Sequence, residues 1–298
     1  MSLIEDEAPA AAALVRDIFP HTGRTYLVGV TGPPGAGKST LVDRIVAETR
    51  KAGDTVGVVA VDPTSPFTGG AILGDRVRMQ AHAQDEGVFI RSMATRGQLG
   101  GLARATGDVA LVLDAAGKSL VLIETVGVGQ DEVDIVRTAD LSIVVLVPGT
   151  GDDVQALKAG IMEIADIFVV NKCDREGADR TVTAIESNLA LQSFTAAEWR
   201  PPIVKTEATT GRGIPELLDA ARRFRAHSAG VRSRRLQQRH EFRLRDLLTQ
   251  RFLERVESDV VGREAFEELV RRIAAREIDP YTASAEILDR AMRPKDKA

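Results

Sequence analysis

The sequence predicts an α/β fold: a doubly wound, mostly parallel sheet of about seven strands, with a helix in front of it and an all-helical extension behind it. Three observations carry that prediction. Short apolar runs alternate with helical patterns from residue 25 to about residue 228, the order expected of βαβ units. The first run, from Thr25 to Thr31, ends in Gly32-x-x-x-x-Gly37-Lys38-Ser39, a strand feeding a phosphate-binding loop. After Gly230 the composition turns to arginine and leucine.

In chain order, Ala8 to Phe19 reads as one amphipathic helix stopped by Pro20 and packed outside the sheet. Strands are expected at 25–31, 55–61, 88–93, 119–123, 141–147, 166–170 and 202–206, several apolar on both faces as a helix-covered sheet requires. Beyond Gly230, Arg232, Arg234, Arg235, Arg239, Arg243 and Arg245 share a long helix with Leu236, Phe242, Leu244, Leu247, Leu248, Phe252 and Leu253. Glu241, Asp246, Glu254 and Glu257 are placed to pair with the arginines. Two further helices, 262–276 and 280–291, follow. The division is therefore 1–24 for an N-terminal helical segment, 25–229 for the nucleotide domain and 230–298 for a helical arm. An apolar stripe on helices with no sheet to cover is expected to pair with a second copy, giving a homodimer.

Composition narrows the classes. The 298 residues are 44% hydrophobic and 28% charged, with a net charge of −4, so no global field favours nucleic acid or an acidic membrane. The basic helix lacks an aromatic platform or helix-turn-helix spacing, and nucleic acid is not expected as a partner. No apolar stretch approaches the roughly 20 residues of a membrane helix. The lone Cys173 fits a reducing compartment, and a cytoplasmic protein is expected.

The motifs carry the chemistry. Glycines at 32, 35 and 37 let backbone N–H groups turn inward, and the helix starting near Lys38 adds its positive end, so a triphosphate fits. Gly32, Pro34, Gly35, Ala36, Gly37, Lys38, Ser39 and Thr40 form this nest, with Lys38 reaching the β/γ-phosphates and Ser39 offering a hydroxyl to Mg²⁺. Asn171-Lys172-Cys173-Asp174 follows the apolar run Ile167 to Val170. There Asp174 can accept from guanine N1–H and the 2-amino group, Asn171 can tie the loop to the phosphate loop, and the Lys172 stem can lie over the base. GTP and GDP are the expected nucleotides. Glu124, in Glu124-Thr125-Val126-Gly127, ends the strand beside the phosphate loop, where the Mg²⁺ shell needs a carboxylate; its length suggests action through a water. Gly127 can give its N–H to the γ-phosphate, and Gly127, Gly129 and Gln130 form a loop able to order on GTP. Asp62 and Asp75 read either as metal-shell or water-positioning carboxylates or as a turn aspartate and a helix cap. The loop Gly149 to Lys158 reads as a partner-contacting switch or an ordinary loop before a capped helix.

Taken in order, Gly-x-Pro-Gly-x-Gly-Lys-Ser-Thr, Val-Asp-Pro-x-Ser, Gly-Gly-x-Ile-Leu-Gly-Asp, Glu-Thr-Val-Gly-Val-Gly-Gln, Pro-Gly-x-Gly-Asp and Asn-Lys-x-Asp resemble the MeaB/MMAA, or ArgK-type, family of P-loop GTPases. The resemblance spans about residues 15 to 291. It implies a GTPase that gates adenosylcobalamin delivery to methylmalonyl-CoA mutase, or a related cobalamin-dependent acyl-CoA mutase, and protects or rescues that enzyme. It implies phosphate and Mg²⁺ roles for Lys38 and Ser39, and metal and switch roles for Asp62, Asp75 and Glu124. Lys38, Asp62, Asp75 and Glu124 are thus the catalytic candidates. The Gly149 to Lys158 loop is implied to contact the mutase together with Glu124 to Gln130, and the helical tail to be a dimerisation arm. Two departures stand out: the family has a longer N-terminal helical segment, and the base loop expected as Thr-Ser-Ala is Thr206-Glu207-Ala208, with guanine taking the Ala208 backbone N–H. The competing readings are an ATPase or kinase of basic amino-acid transport, a nickel-insertion GTPase and a nucleotide-gated binding module with negligible turnover.

Overall fold

The computed structural model describes residues 1–5, 8–62, 79–82, 84–94, 101–125, 139–149, 161–195, 197–230 and 232–292. They form two compact units, Met1–Arg235 and Leu236–Ala298.

In the first unit, β1 (Tyr26–Thr31), β2 (Val56–Asp62), β3 (Val88–Ala94), β4 (Leu120–Thr125), β5 (Leu141–Leu146), β6 (Ile167–Val170) and β7 (Ile203–Lys205) make one parallel sheet in the order β3-β2-β4-β1-β5-β6-β7. The chain winds outward from β1 to β3, returns to β4 beside β1, and then winds out the other way. The carboxyl ends of β1, β4 and β5 therefore border one crevice, where the loop after β1 lies.

Helices cover both faces: α1 (Ser2–Glu5), α2 (Pro9–Ile18), α3 (Lys38–Lys51), α4 (Gly101–Ala115), α5 (Ile161–Ile164), α6 (Ala178–Ala190) and α7 (Ile214–Ser228). On one face, α3 and α7 bury Leu41, Val42, Ile45, Val46, Leu217, Ala220 and Phe224 against Val28, Val30, Leu122 and Ile143. On the other, Val109, Ala110 and Leu113 of α4 meet Val59, Val61, Val121 and Ile123. Each fully buried aliphatic side chain contributes about 1.5–3 kcal/mol. All residues of β5 and β6 are buried, which is why their sequences are apolar runs, broken only by Ser142, rather than alternating ones.

The N-terminal helix packs outside the sheet as expected, and the structure sets it on the α4 side, with Ala11, Leu14 and Val15 against that cluster. The short α1 was not anticipated. It is held by the buried Ile4 and by an ion pair from Arg91 on β3 to Glu5, both tertiary contacts that a local pattern does not carry.

The second unit holds most of α8 (Arg232–Arg255), a π-helical segment Val256–Val261, α9 (Arg263–Ala274) and α10 (Pro280–Met292). Val256, Leu269 and Ala283 form its small buried core. Among the described residues no helix is long and apolar enough to cross a membrane.

Candidate functional site

The site is built at the end of β1. The loop Gly32 to Gly37 places three glycines at positive φ, 143°, 76° and 84° at positions 32, 35 and 37. Two of them have no room for a side chain: a Cβ on Gly32 would come within 2.0 Å of the Val145 carbonyl oxygen, and one on Gly37 within 2.6 Å of the Asn171 amide nitrogen. The loop is thus wedged between β5 and the Asn171 loop. Gly37 caps α3 in the left-handed region, so that helix points its N-terminal N–H groups into the crevice.

Lys38 opens α3 and is buried, its ammonium donating to the carbonyls of Gly32 at 2.7 Å and Pro33 at 3.1 Å. It thereby arches over the loop it is expected to serve. Pro34 and Gly35 are exposed at the loop tip, Ala36 is buried beneath it, and Thr40 is half-buried on the first turn of the helix.

Ser39 and Glu124 meet directly. The Ser39 hydroxyl donates to Glu124 Oε1 at 2.6 Å, and both residues are buried. The parallel register sets this up, pairing Val30 with Glu124 across β1 and β4. The carboxylate reaches the serine because the strand brings it alongside the first turn of α3. A hydroxyl that gives its proton to a carboxylate keeps its oxygen lone pairs for a cation. This hard-oxygen pair fits Mg²⁺.

The base side is organised by Asn171. Its amide nitrogen donates to the Ala36 carbonyl at 2.8 Å, while its oxygen accepts from the Thr206 hydroxyl and the Ala208 N–H, each at 3.1 Å. One buried side chain joins the phosphate loop to both loops expected around guanine. Ala208 N–H, reserved by sequence for guanine, is therefore already engaged, and a base oxygen there would share it. Lys172 sits at φ 55° and donates to the Gly35 carbonyl at 2.7 Å, which lays its stem across the space between the loops. Asp174 is exposed, and among the described residues its carboxylate has no hydrogen bond or ion pair.

Other expected members are placed in part or not at all. The backbone puts Asp62 at the end of β2, paired with Ala94. Asp75, Gly127, Gly129 and Gln130, and residues 150 to 158 of the proposed partner loop, lie outside the described residues. Among the described residues there is no group of three or more His, Cys, Asp or Glu placed to hold a metal ion.

The family model described as methylmalonyl Co-A mutase-associated GTPase MeaB matches residues 1–260. The chain belongs to the MeaB family. Its relatives agree along most of their length. A Pyrococcus abyssi protein named for a GTPase is 53% identical over 97% of the chain and 90% of its own length. The Escherichia coli GTPase ArgK is 38% identical over 91% of the chain and 84% of its own. A mouse relative, the methylmalonic aciduria type A homolog, mitochondrial, is 33% identical over 91% of the chain and 66% of its own. Among solved structures, one titled LAO/AO transport system kinase superposes with a TM-score of 0.71 at 28% identity, covering 98% of the chain and 91% of its own. The hydrogenase maturation factor HypB of Archaeoglobus fulgidus shares the fold, with a TM-score of 0.51 at 22% identity over 73% of the chain and 98% of its own. The MeaB-family chain is thus a P-loop GTPase with a helical C-terminal unit.

Sequence reading missed one residue of this site. Arg44, half-buried on α3, donates from Nε to the Ala208 carbonyl at 3.0 Å and from Nη2 to the Thr209 carbonyl at 2.6 Å. A rigid fork locks the base loop to the helix that begins at Lys38. We expect Arg44→Ala to weaken GDP binding about tenfold, from the ~1.5 kcal/mol carried by charged hydrogen bonds, with Arg44→Lys intermediate. Fluorescent-nucleotide titration checks this, and unchanged affinity would show that the fork is ornamental.

Proposed function

We propose that the chain is a GTP-hydrolysing chaperone of a cobalamin-dependent acyl-CoA mutase, methylmalonyl-CoA mutase or a close relative, gating adenosylcobalamin delivery to it and protecting or reactivating it. The observation that carries the guanine-nucleotide reading is the Asn171 junction, which fixes phosphate and base loops together while, among the described residues, the Asp174 carboxylate is left without a partner. The mutase part rests on the family description and on the mouse relative.

The residues divide the work. Loop N–H groups and the α3 terminus would hold the β-phosphate, and Lys38 would trade the Gly32 and Pro33 carbonyls for β/γ oxygens. Ser39 would hold Mg²⁺, with Glu124, Asp62 and Asp75 completing its shell. When bound, the ion offsets the charge that builds on the phosphates as water displaces GDP from the γ-phosphorus. Asp174 would select guanine.

The partner reading is tested by measuring GTP turnover with and without the adenosylcobalamin-dependent mutase. Stimulation on the order of tenfold is expected, a usual size for coupling between sites. Replacing Gln155 or Lys158 should preserve intrinsic turnover and remove the stimulation. If the mutase leaves turnover unchanged, the partner assignment fails and the GTPase assignment stands.

The same proposal includes a homodimer formed through the helical arm. Phe242, Leu244, Leu248, Phe252 and Leu253 are 42 to 59% exposed on α8, an apolar load that lone monomers rarely leave in water. Light scattering should give twice the chain mass at micromolar concentration; a monomer throughout would rule it out. We place the protein in the cytoplasm on the strength of its single cysteine.

A further inference from the structure

A second cavity lies within the first unit, at the amino ends of the central strands and so at the opposite edge of the sheet from the nucleotide loops. It has a volume of about 300 Å³, the lower end of the range of small-molecule sites. Its floor is the start of β1, β4 and β5, with Leu120 and Leu141, and its walls are Ile45 on α3 and Leu217 on α7. Small residues, Ala52 and Ala221, line it between those two helices.

The polar groups around it are unevenly satisfied. Glu48 is held by Lys51 at 2.6 Å, and Asp54 accepts from Ser119 at 3.4 Å. Among the described residues Arg222 has only Asp219, at 3.5 Å. Arg225 is exposed at the mouth, and among the described residues it has no ion pair; its guanidinium lies 4.8 Å over the Tyr26 ring. Tyr26 is itself 6% exposed, and its hydroxyl has no hydrogen-bond partner among the described residues. Burial, with Asp140 and Asp166 nearby, pushes its phenol up to about 12, so it stays an O–H donor at neutral pH. Those two carboxylates are occupied, Asp140 by the Leu27 N–H and Asp166 by the Ser142 N–H and Arg235. Among the described residues Arg225 is thus a cation at the mouth with no carboxylate on it, and its exposed guanidinium is the group there able to take an added anion.

We propose that this cavity is a binding site for a small amphipathic carboxylate, its aliphatic chain between α3 and α7 and its carboxylate on Arg225. Each methylene that enters such walls is favourable, and a carboxylate on a guanidinium adds direction. Phosphate sites and the guanine loops take no part in it.

The test is a titration of the full-length chain, labelled at Ile, Leu and Val methyls, with sodium octanoate, 1-octanol and sodium acetate. Octanoate should give saturable shifts at Ile45, Leu120, Leu141 and Leu217, 1-octanol should bind about tenfold more weakly, and acetate should not bind. Arg225→Gln should lower octanoate affinity about tenfold and leave 1-octanol unchanged. Ala221→Leu, with its thermal midpoint preserved, should block both. The proposal is overturned if octanoate shifts none of these methyls, if it shifts mainly others, if Arg225→Gln binds it as well as the parent does, or if the filled variant still binds.

Discussion

Lys38→Ala should lower GTP hydrolysis by about a thousandfold or more, the scale set by removing a fixed donor from a phosphoryl-transfer or oxyanion site. The side chain is buried at the first position of α3, and its ammonium is held by the Gly32 and Pro33 carbonyls. It is thus preorganised over the loop and needs only to exchange carbonyl oxygens for phosphate oxygens. Those oxygens become more negative on the way to the transition state, so the ammonium is worth more there than in the ground state. Its loss should consequently fall on kcat more than on nucleotide affinity. Lys38→Met, which keeps the packed stem and removes the charge, should be equally inactive. Single-turnover hydrolysis measured beside nucleotide affinity decides the point. A methionine variant within tenfold of the parent would mean that the charge is not what matters.

How much of this was legible beforehand depends on how local each signal is. The phosphate loop, the strand runs and the Asn171 to Asp174 motif are each contained in a few consecutive residues, and the sheet follows from their alternation. Glu124 was located by its strand, but not its direct bond to Ser39, since that depends on the pairing of Val30 with Glu124. Asn171 was expected to reach the phosphate loop, and it does; that it also takes the Ala208 N–H was hidden in a contact 37 residues apart. Arg44 was invisible for the same reason. An arginine in an amphipathic helix reads as a solvated charge until the loop 164 residues away is folded against it. The cavity between α3 and α7 is a still more collective property, lined by residues of three strands and two helices that no local pattern brings together.

Asp174→Asn should collapse guanine selectivity. The carboxylate is exposed and, among the described residues, unengaged, while Asn171 and Lys172 on the same loop are both fastened to the phosphate loop. The loop is therefore fixed and the acid free to accept two hydrogen bonds, from guanine N1–H and from the 2-amino group. An asparagine offers one oxygen and one NH₂ in that place, so one of the two guanine donors faces another donor. Losing one charge-assisted bond of about 1.5–3 kcal/mol, removing the charge from the other and adding a donor–donor contact should weaken GTP about a thousandfold. The same change should create a match for xanthine, which carries an acceptor at C2 and still donates from N1–H. The variant should accordingly prefer XTP to GTP, whereas ATP, with an acceptor at N1, should gain little. Competition titrations of the three nucleotides on parent and variant separate these outcomes. If the variant's GTP:ATP ratio equals the parent's, the base is not read by Asp174. If GTP is lost without a gain for XTP, the loop has moved rather than changed its donors, and the fastening by Asn171 and Lys172 is weaker than its geometry implies.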